Sequence, residues 1–178
     1  LLLKKFLPNI ILYTPNASIY VVDNSSEDGS IEFLKKKYKN VTIIKLHRNT
    51  GYSKAYNHAI KQINSDVYCL INNDVMVTKN WTLPIMTCFQ NKKVDIAQPL
   101  ILDFNNKNKF EYAGAAGGFI DKFGFPFCRG RIFNNIEDNI GQYDNSVDIF
   151  WASGACMFVN SRCWKSLRGF DTDFFMHQ

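Results

Sequence analysis

Asn72-Asn73-Asp74 ends an apolar run, Val67-Tyr68-Cys69-Leu70-Ile71, and the chain then resumes with Val75-Met76-Val77. A carboxylate flanked by amides at the end of a buried strand suits a hard divalent cation. Mg2+ keeps oxygen ligands and is usually held by one or two carboxylates together with substrate phosphates. Asn72 and Asn73 would orient that carboxylate or the phosphates. Taken alone, the same tripeptide is ordinary turn chemistry. Asp23 closes a second apolar run, Ile19-Tyr20-Val21-Val22. A carboxylate there accepts hydrogen bonds from ribose hydroxyls or a base N–H, or else caps a turn through nearby backbone amides. A third run, Val41 to Leu46, is followed by His47, Arg48 and Asn49.

These groups need strands to carry them, and the first hundred residues supply the pattern. Residues 1–13 read as a helix in which Pro8 is a kink or a restart. Residues 19–23 read as a strand, 24–29 as a turn, 28–38 as an amphipathic helix with Ile31 and Leu34 on one face, and 41–46 as a strand. Asn49-Thr50-Gly51 turns into a helix over about 53–63; a strand at 66–71, a helix at 81–90 and a strand at 94–100 follow. Strands and helices alternating at this spacing predict an α/β fold with a mostly parallel, doubly wound sheet. In such sheets ligands sit beyond the carboxyl ends of the strands, which is where the polar groups gather. No G-x-G-x-x-G follows the first strand and no G-x-x-x-x-G-K-[ST] occurs, which argues against a dinucleotide cofactor and against a P-loop NTPase.

The rest of the chain changes character. Residues 110–131 are rich in Gly and aromatics, 133–147 read as polar loop, 147–159 as a long strand-like stretch and 161–167 as a short helix. The run FEYAGAAGGFIDKFGFPFCRGR reads as a shaped loop. Its Arg129 and Arg131 either meet a phosphate or cap a surface loop. Trp151 could stack on a ligand or pack in a core. Gly154 could admit a ligand close to the backbone or mark a bulge.

The chain has 178 residues and a formal net charge of +5, enough length for one sizeable core and a mild excess that suits phosphate-bearing ligands or simply solvates a helix face. Its five cysteines are odd in number and form no CxxC, so they read as reduced thiols in a cytoplasmic protein and not as a disulfide framework. No segment approaches the roughly 20 apolar residues of a membrane span. Basic residues do not alternate with aromatics on a nucleic-acid-binding module, so no nucleic-acid partner is expected.

The stretches VVDNSSEDGS, HRNTGYSKAYNHAI and LINNDVMV, in this order and spacing, resemble a family 2 glycosyltransferase of the GT-A (nucleotide-diphospho-sugar transferase) fold. WASGACMFVNSRCWKSLRGFDTDFF resembles a later block of that family. The subgroup it resembles is the rhamnosyltransferase-like enzymes of bacterial cell-surface polysaccharide synthesis. The resemblance implies a single GT-A domain over 1–178, with a nucleotide-binding half at 1–100 and a more irregular acceptor half at 101–178. It also implies a central strand before Leu1 and an acidic motif, carrying the catalytic base, beyond Gln178, so that the chain would be truncated at both ends.

Residue by residue, the resemblance implies that Asp23, with Asn24 and Ser25 beside it, contacts the nucleoside of a nucleoside diphosphate sugar donor. Asn49, Gly51, Lys54 and Asn57 would lie near its base and diphosphate. The family's Asp-x-Asp-like motif falls on Asn72-Asn73-Asp74, which puts a divalent metal (Mn2+ or Mg2+) mainly on Asp74. Asp171 and Asp173 are nearby carboxylates that line the site and stand as weaker candidates for the base; Trp151 and Gly154 belong to the acceptor or sugar pocket. The expected reaction is an inverting transfer to a glycan or lipid-linked acceptor, with peripheral contact at the inner membrane face. Two alternatives stand beside it. A sugar nucleotidyltransferase would want a basic Gly-rich loop where DNSSEDGS stands, and a non-catalytic carbohydrate-binding module would not need Asp74.

Overall fold

A computed structural model describes residues 2–91, 93–112 and 114–175. The chain forms two compact units whose segments interleave along the sequence: 1–68, 77–82 and 160–178 make the first, 69–76 and 83–159 the second.

In the first unit, α1 (Leu2–Tyr13) runs unbroken through Pro8. The chain does not restart a helix at Pro8, and Leu3, Phe6, Leu7 and Ile10 are buried across the position of the lost hydrogen bond. Strands β1 (Tyr20–Asp23) and β2 (Thr42–Lys45) pair in parallel, Tyr20 opposite Thr42 and Asp23 opposite Lys45. Between them, α2 (Ser30–Lys37) turns Leu34, with 0% of its surface exposed, onto Leu3 and Leu7. Ile19, Val21 and Ile43 pack on the same cluster, so the apolar faces of two helices and a parallel pair close one core. The charged face of α2, Lys35-Lys36-Lys37, falls in the last turn, where cations complement the helix dipole. Next comes α3 (Gly51–Ile60), which starts and ends earlier than the helix expected at 53–63.

The second unit is built on a three-stranded sheet in the order β3 (Val67–Ile71), β9 (Cys156–Asn160), β4 (Ile96–Ala97), with β4 and β9 antiparallel. Helix α4 (Thr82–Gln90) precedes β4. The strand expected over 94–100 shrinks to two residues. The strand expected over 147–159 is confined to β9, every residue of which is buried. Upstream of β9 the chain is pinned instead by side chains: Gln98 Oε1 accepts the Ser153 N–H (2.7 Å), and the Gln98 amide donates to the Gly114 carbonyl (2.7 Å).

Residues 118–136, expected as loop, form an antiparallel meander of four short strands. These are β5 (Gly118–Ile120), β6 (Pro126–Cys128), β7 (Arg131–Ile132) and β8 (Asn135–Ile136). One face packs Cys128 and Ile136 onto Phe110, Ala115 and Ala116. Parallel pairing is therefore confined to β1–β2 among the pairings resolved here, and the antiparallel content comes from the second unit. Ser161–Leu167 forms the last helix, α5, capped by Asn160, whose side chain accepts the Cys163 N–H at 2.7 Å.

Candidate functional site

Asp23 is the last residue of β1 and is 4% exposed. Its main-chain carbonyl accepts the Leu46 N–H (2.8 Å), which continues the parallel ladder. One carboxylate oxygen, Oδ1, accepts the Ser26 N–H at 3.0 Å. The other, Oδ2, is buried and has no hydrogen-bond partner among the described residues. A buried carboxylate oxygen without a donor costs more than an ordinary hydrogen bond contributes, so this atom has an acceptor position open to a further donor.

The neighbouring amides are spent on holding that place in shape. Asn24 accepts the Thr50 N–H (2.9 Å) and donates to Asn49 Oδ1 (2.9 Å) and to the Gly51 carbonyl (3.2 Å). Asn49 in turn accepts the Gly51 N–H (3.0 Å). This clamp ties the end of β1 to the start of α3. Gly51 has φ +79, and a Cβ there would lie 2.3 Å from the Phe175 carbonyl oxygen, so only glycine fits. The adjacent Tyr52 N–H donates to that same carbonyl (2.8 Å). Ser25 adopts the left-handed conformation, φ 68, at the turn that follows Asp23.

Asn57 faces elsewhere. Its amide donates to the Phe170 carbonyl (2.8 Å) and accepts the Phe170 N–H (2.9 Å), a two-point latch from α3 to the segment after α5. Asn57 and Lys54 border a cleft of about 720 Å3 together with Lys61, Arg168 and Asp171. Asp23 is not among its walls. Asp171 accepts the Asp173 N–H (2.9 Å), an Asx turn that keeps both exposed carboxylates on one short loop.

In the second unit, Asn72, Asn73 and Asp74 are all exposed in the turn that leaves β3. The Asn72 N–H donates to the Ala155 carbonyl (2.9 Å), which fixes the start of the turn against the segment before β9. Asp74 pairs with no Lys or Arg among the described residues, where the ion pair is Lys109–Asp138 at 3.8 Å. No three His, Cys, Asp or Glu side chains among the described residues gather closely enough to hold a metal by themselves. A single accessible carboxylate with two amide carbonyls beside it is a hard-oxygen donor set. It fits a Mg2+ or Mn2+ shared with phosphates and not a closed protein cage.

Trp151 has a packing role. Its indole N–H donates to the Phe119 carbonyl (2.9 Å), and its ring lies where a Cβ on Gly118 would sit, 1.9 Å away. Gly154 is half-buried between Ser153 and β9, and Ser153 Oγ accepts the Ala155 N–H (3.2 Å). Arg129 Nε donates to the Ala116 carbonyl (2.9 Å), and Arg131 stacks 3.8 Å over Tyr112 while bonding the Phe133 carbonyl (3.2 Å). Both therefore brace the meander. The five cysteines are free thiols.

The structure joins Asn24, Asn49 and Gly51 by hydrogen bonds next to Asp23, and the sequence pattern misses the other partners that hold them. Thr50, Ser26 and Phe175 contribute backbone groups, which carry no residue-type signal. Ser153 and Gln98 were missed because a single polar residue in an apolar stretch does not say what it bonds.

The model of the family described as "Glycosyl transferase family 2" matches residues 2–155. Among solved structures, the mannosyltransferase PcManGT from Pyrobaculum calidifontis, in complex with GDP-Man and Mn2+, is similar with a TM-score of 0.63 at 14% identity, covering 97% of this chain and 44% of that one. S. aureus TarS 1-349 is similar with a TM-score of 0.61 at 14% identity, covering 96% and 47%. The chain thus spans less than half the length of these two structures. No curated protein sequence matches it. No helix of the described residues is long and apolar enough to cross a membrane. The architecture is the GT-A fold, and with its family model covering most of its length, the chain belongs to glycosyl transferase family 2.

Proposed function

We propose that the protein transfers a sugar from a nucleoside diphosphate sugar to a hydroxyl of a glycan or lipid-linked acceptor, with inversion at the anomeric carbon, in cell-surface polysaccharide synthesis of the rhamnosyltransferase-like kind. The observation that carries the donor assignment is the buried, unmatched Oδ2 of Asp23 at the carboxyl end of β1. A nucleoside supplies what that atom lacks, in a base N–H or a ribose hydroxyl. The Ser26 N–H holds the other carboxylate oxygen, and the Asn24–Asn49–Gly51 clamp ties the end of β1 to α3, so little of the binding energy goes into ordering the site.

Asp74, with the amide carbonyls of Asn72 and Asn73, would hold a divalent cation against the donor diphosphate. The similar mannosyltransferase from Pyrobaculum calidifontis, solved with GDP-Man and Mn2+, supports this choice. When bound, such an ion neutralises charge on a departing diphosphate, worth several kcal/mol in the transition state. In the reaction an acceptor oxygen forms a bond to the anomeric carbon while the bond from that carbon to the diphosphate oxygen breaks, its electron pair leaving with the diphosphate. The acceptor proton passes to a carboxylate base; Asp171 and Asp173, on the loop after α5, are the candidates among the described residues. In this reading Trp151 shapes the acceptor half by bracing the meander, and Gly154 lies between Ser153 and β9.

Calorimetry with UDP, dTDP and GDP, each with and without Mn2+, tests the reading. Metal-dependent binding of one of them, abolished in Asp74→Ala, is expected. Binding that ignores Mn2+ and survives Asp74→Ala contradicts the metal assignment, and binding of free glycans alone contradicts the donor assignment as well.

A further inference from the structure

The four-stranded meander exposes what most surfaces conceal. Phe123 is 74% exposed and Phe125 69%, both in the turn that joins β5 to β6; Phe133 is 86% exposed in the turn that joins β7 to β8. In an antiparallel meander alternate turns lie at the same end of the sheet. The order β5-β6-β7-β8 therefore places all three phenylalanines at one end. Register carries the pattern onto a face. Phe119 pairs with Phe127, their rings stacked at 5.7 Å, while the neighbouring pair, Gly118 with Cys128, faces the buried cluster. Cys128 pairs with Arg131, so the next position along sets the exposed Ile132 beside Phe127 on the outer side.

Two features show that this display is built. The Asp121 carboxylate accepts the N–H groups of Phe123 (2.8 Å) and Phe125 (2.9 Å), and Gly124 turns the corner at φ 89, so the tip is a rigid turn that points two rings outward. Phe133 occupies the first position of a two-residue hairpin turn at φ 52, a place where Asn or Gly is at ease and a large side chain is strained. A strained, almost fully exposed phenylalanine contributes nothing to the core.

We propose that this end of the meander docks on an anionic lipid bilayer, with Phe123, Phe125 and Phe133 inserted at the headgroup level. The shape is a protruding tip and not a groove, which suits a fluid, deformable partner. The tip carries its own cation: Lys122 lies on it with the ammonium 4.9 Å from the Phe123 ring, while the Asp121 carboxylate is engaged by the tip's own backbone N–H groups. Aromatic rings at the interface flanked by cations are the composition that peripheral proteins use to hold a surface without crossing it. The proposal stands apart from donor recognition, since it needs no nucleotide.

The test is sedimentation of the whole chain with vesicles of phosphatidylcholine alone and of phosphatidylcholine with one third phosphatidylglycerol. Binding to the anionic vesicles is expected, at least tenfold weaker in Phe123→Ser/Phe125→Ser and weakened by Lys122→Glu on anionic vesicles only. Phe123→Trp should shift its emission to the blue on anionic vesicles and be quenched by lipids brominated in the chains, a readout that surface charge alone does not move. Because the three rings are outside the core, circular dichroism of the serine variant should match the parent. Absence of vesicle binding, equal binding by the serine variant, or equal binding to both vesicle types overturns the proposal. So does self-association that the serine substitutions abolish without any vesicle binding, which would make a second copy of the chain the occupant.

Discussion

The end of β1 and the tip of the meander break opposite rules. At Asp23 the protein buries a polar atom and leaves it unmatched; at Phe123, Phe125 and Phe133 it exposes apolar rings and holds them rigid. Each choice works against folding. An unpaired buried carboxylate oxygen and an exposed phenylalanine in the left-handed region are costs of about 1–3 kcal/mol apiece. Each is also held by local hydrogen bonds: the Asn24 clamp in one case, the Asp121 carboxylate in the other. The contrast teaches that a site is recognised by what its surroundings leave unfinished, and that the chemistry of the missing partner follows from it. A buried acceptor wants a donor group; exposed rings beside cations want an apolar layer with an anionic surface.

The comparison can be broken from the structural side first. Gly118→Ala should cost about 3 kcal/mol, since its Cβ would fall 1.9 Å from the Trp151 indole and the ring or the strand must shift. Thermal melting followed by indole fluorescence would report it, and an unchanged melting temperature would mean that the ring does not brace the meander. Asn57→Ala should cost about 2 kcal/mol, for two hydrogen bonds that join α3 to Phe170. If Asn57 were a donor-binding group instead, the variant would keep its stability and lose nucleotide affinity.

Two smaller effects sharpen the contrast. Phe133→Asn should raise stability by about 1 kcal/mol by relieving a left-handed phenylalanine, while weakening vesicle binding. Stability and docking would then move in opposite directions, as a functional residue requires. In the second unit's sheet, Cys69 as a residue is exposed, yet its thiol is held well above the ordinary range, first by hydrogen bonding with the Cys156 thiol and then by burial of the sulfur. A raised folded-state pKa means that the unfolded thiol ionises first. The associated stability is complete below about pH 8.5 and is lost as pH rises beyond it. Cys69→Ala should therefore flatten the alkaline limb of a plot of stability against pH.

The first unit was largely legible in the sequence because its elements are long enough to show a period. Residues 19–23, 30–37 and 42–45 carry apolar spacing over at least a turn or a strand, and the polar residues at their ends fall where an α/β sheet puts ligands. The meander was not legible, since strands of two or three residues cannot display alternation; its signals were the turns, Asp121 to Phe125 and Phe133-Asn134. The stretch 147–155 has strand composition but gives its backbone bonds to Gly118 and Gln98, a choice set by residues thirty or more positions away. Within the site, residue type located Asp23, Asn24, Asn49 and Asn57 equally well. Only the hydrogen-bond partners separate the one atom left unmatched from the amides already engaged.

Donor binding is the central claim, and it rests on one atom. Titration calorimetry of the parent chain and of Asp23→Ala with the nucleoside diphosphate that binds best, in Mn2+, measures it most directly. The parent should bind and the variant should lose at least tenfold in affinity, about 1.4 kcal/mol, while keeping its circular dichroism. Equal affinity in a folded variant would contradict the claim, because the Asp23 carboxylate would then have no part in holding the nucleoside.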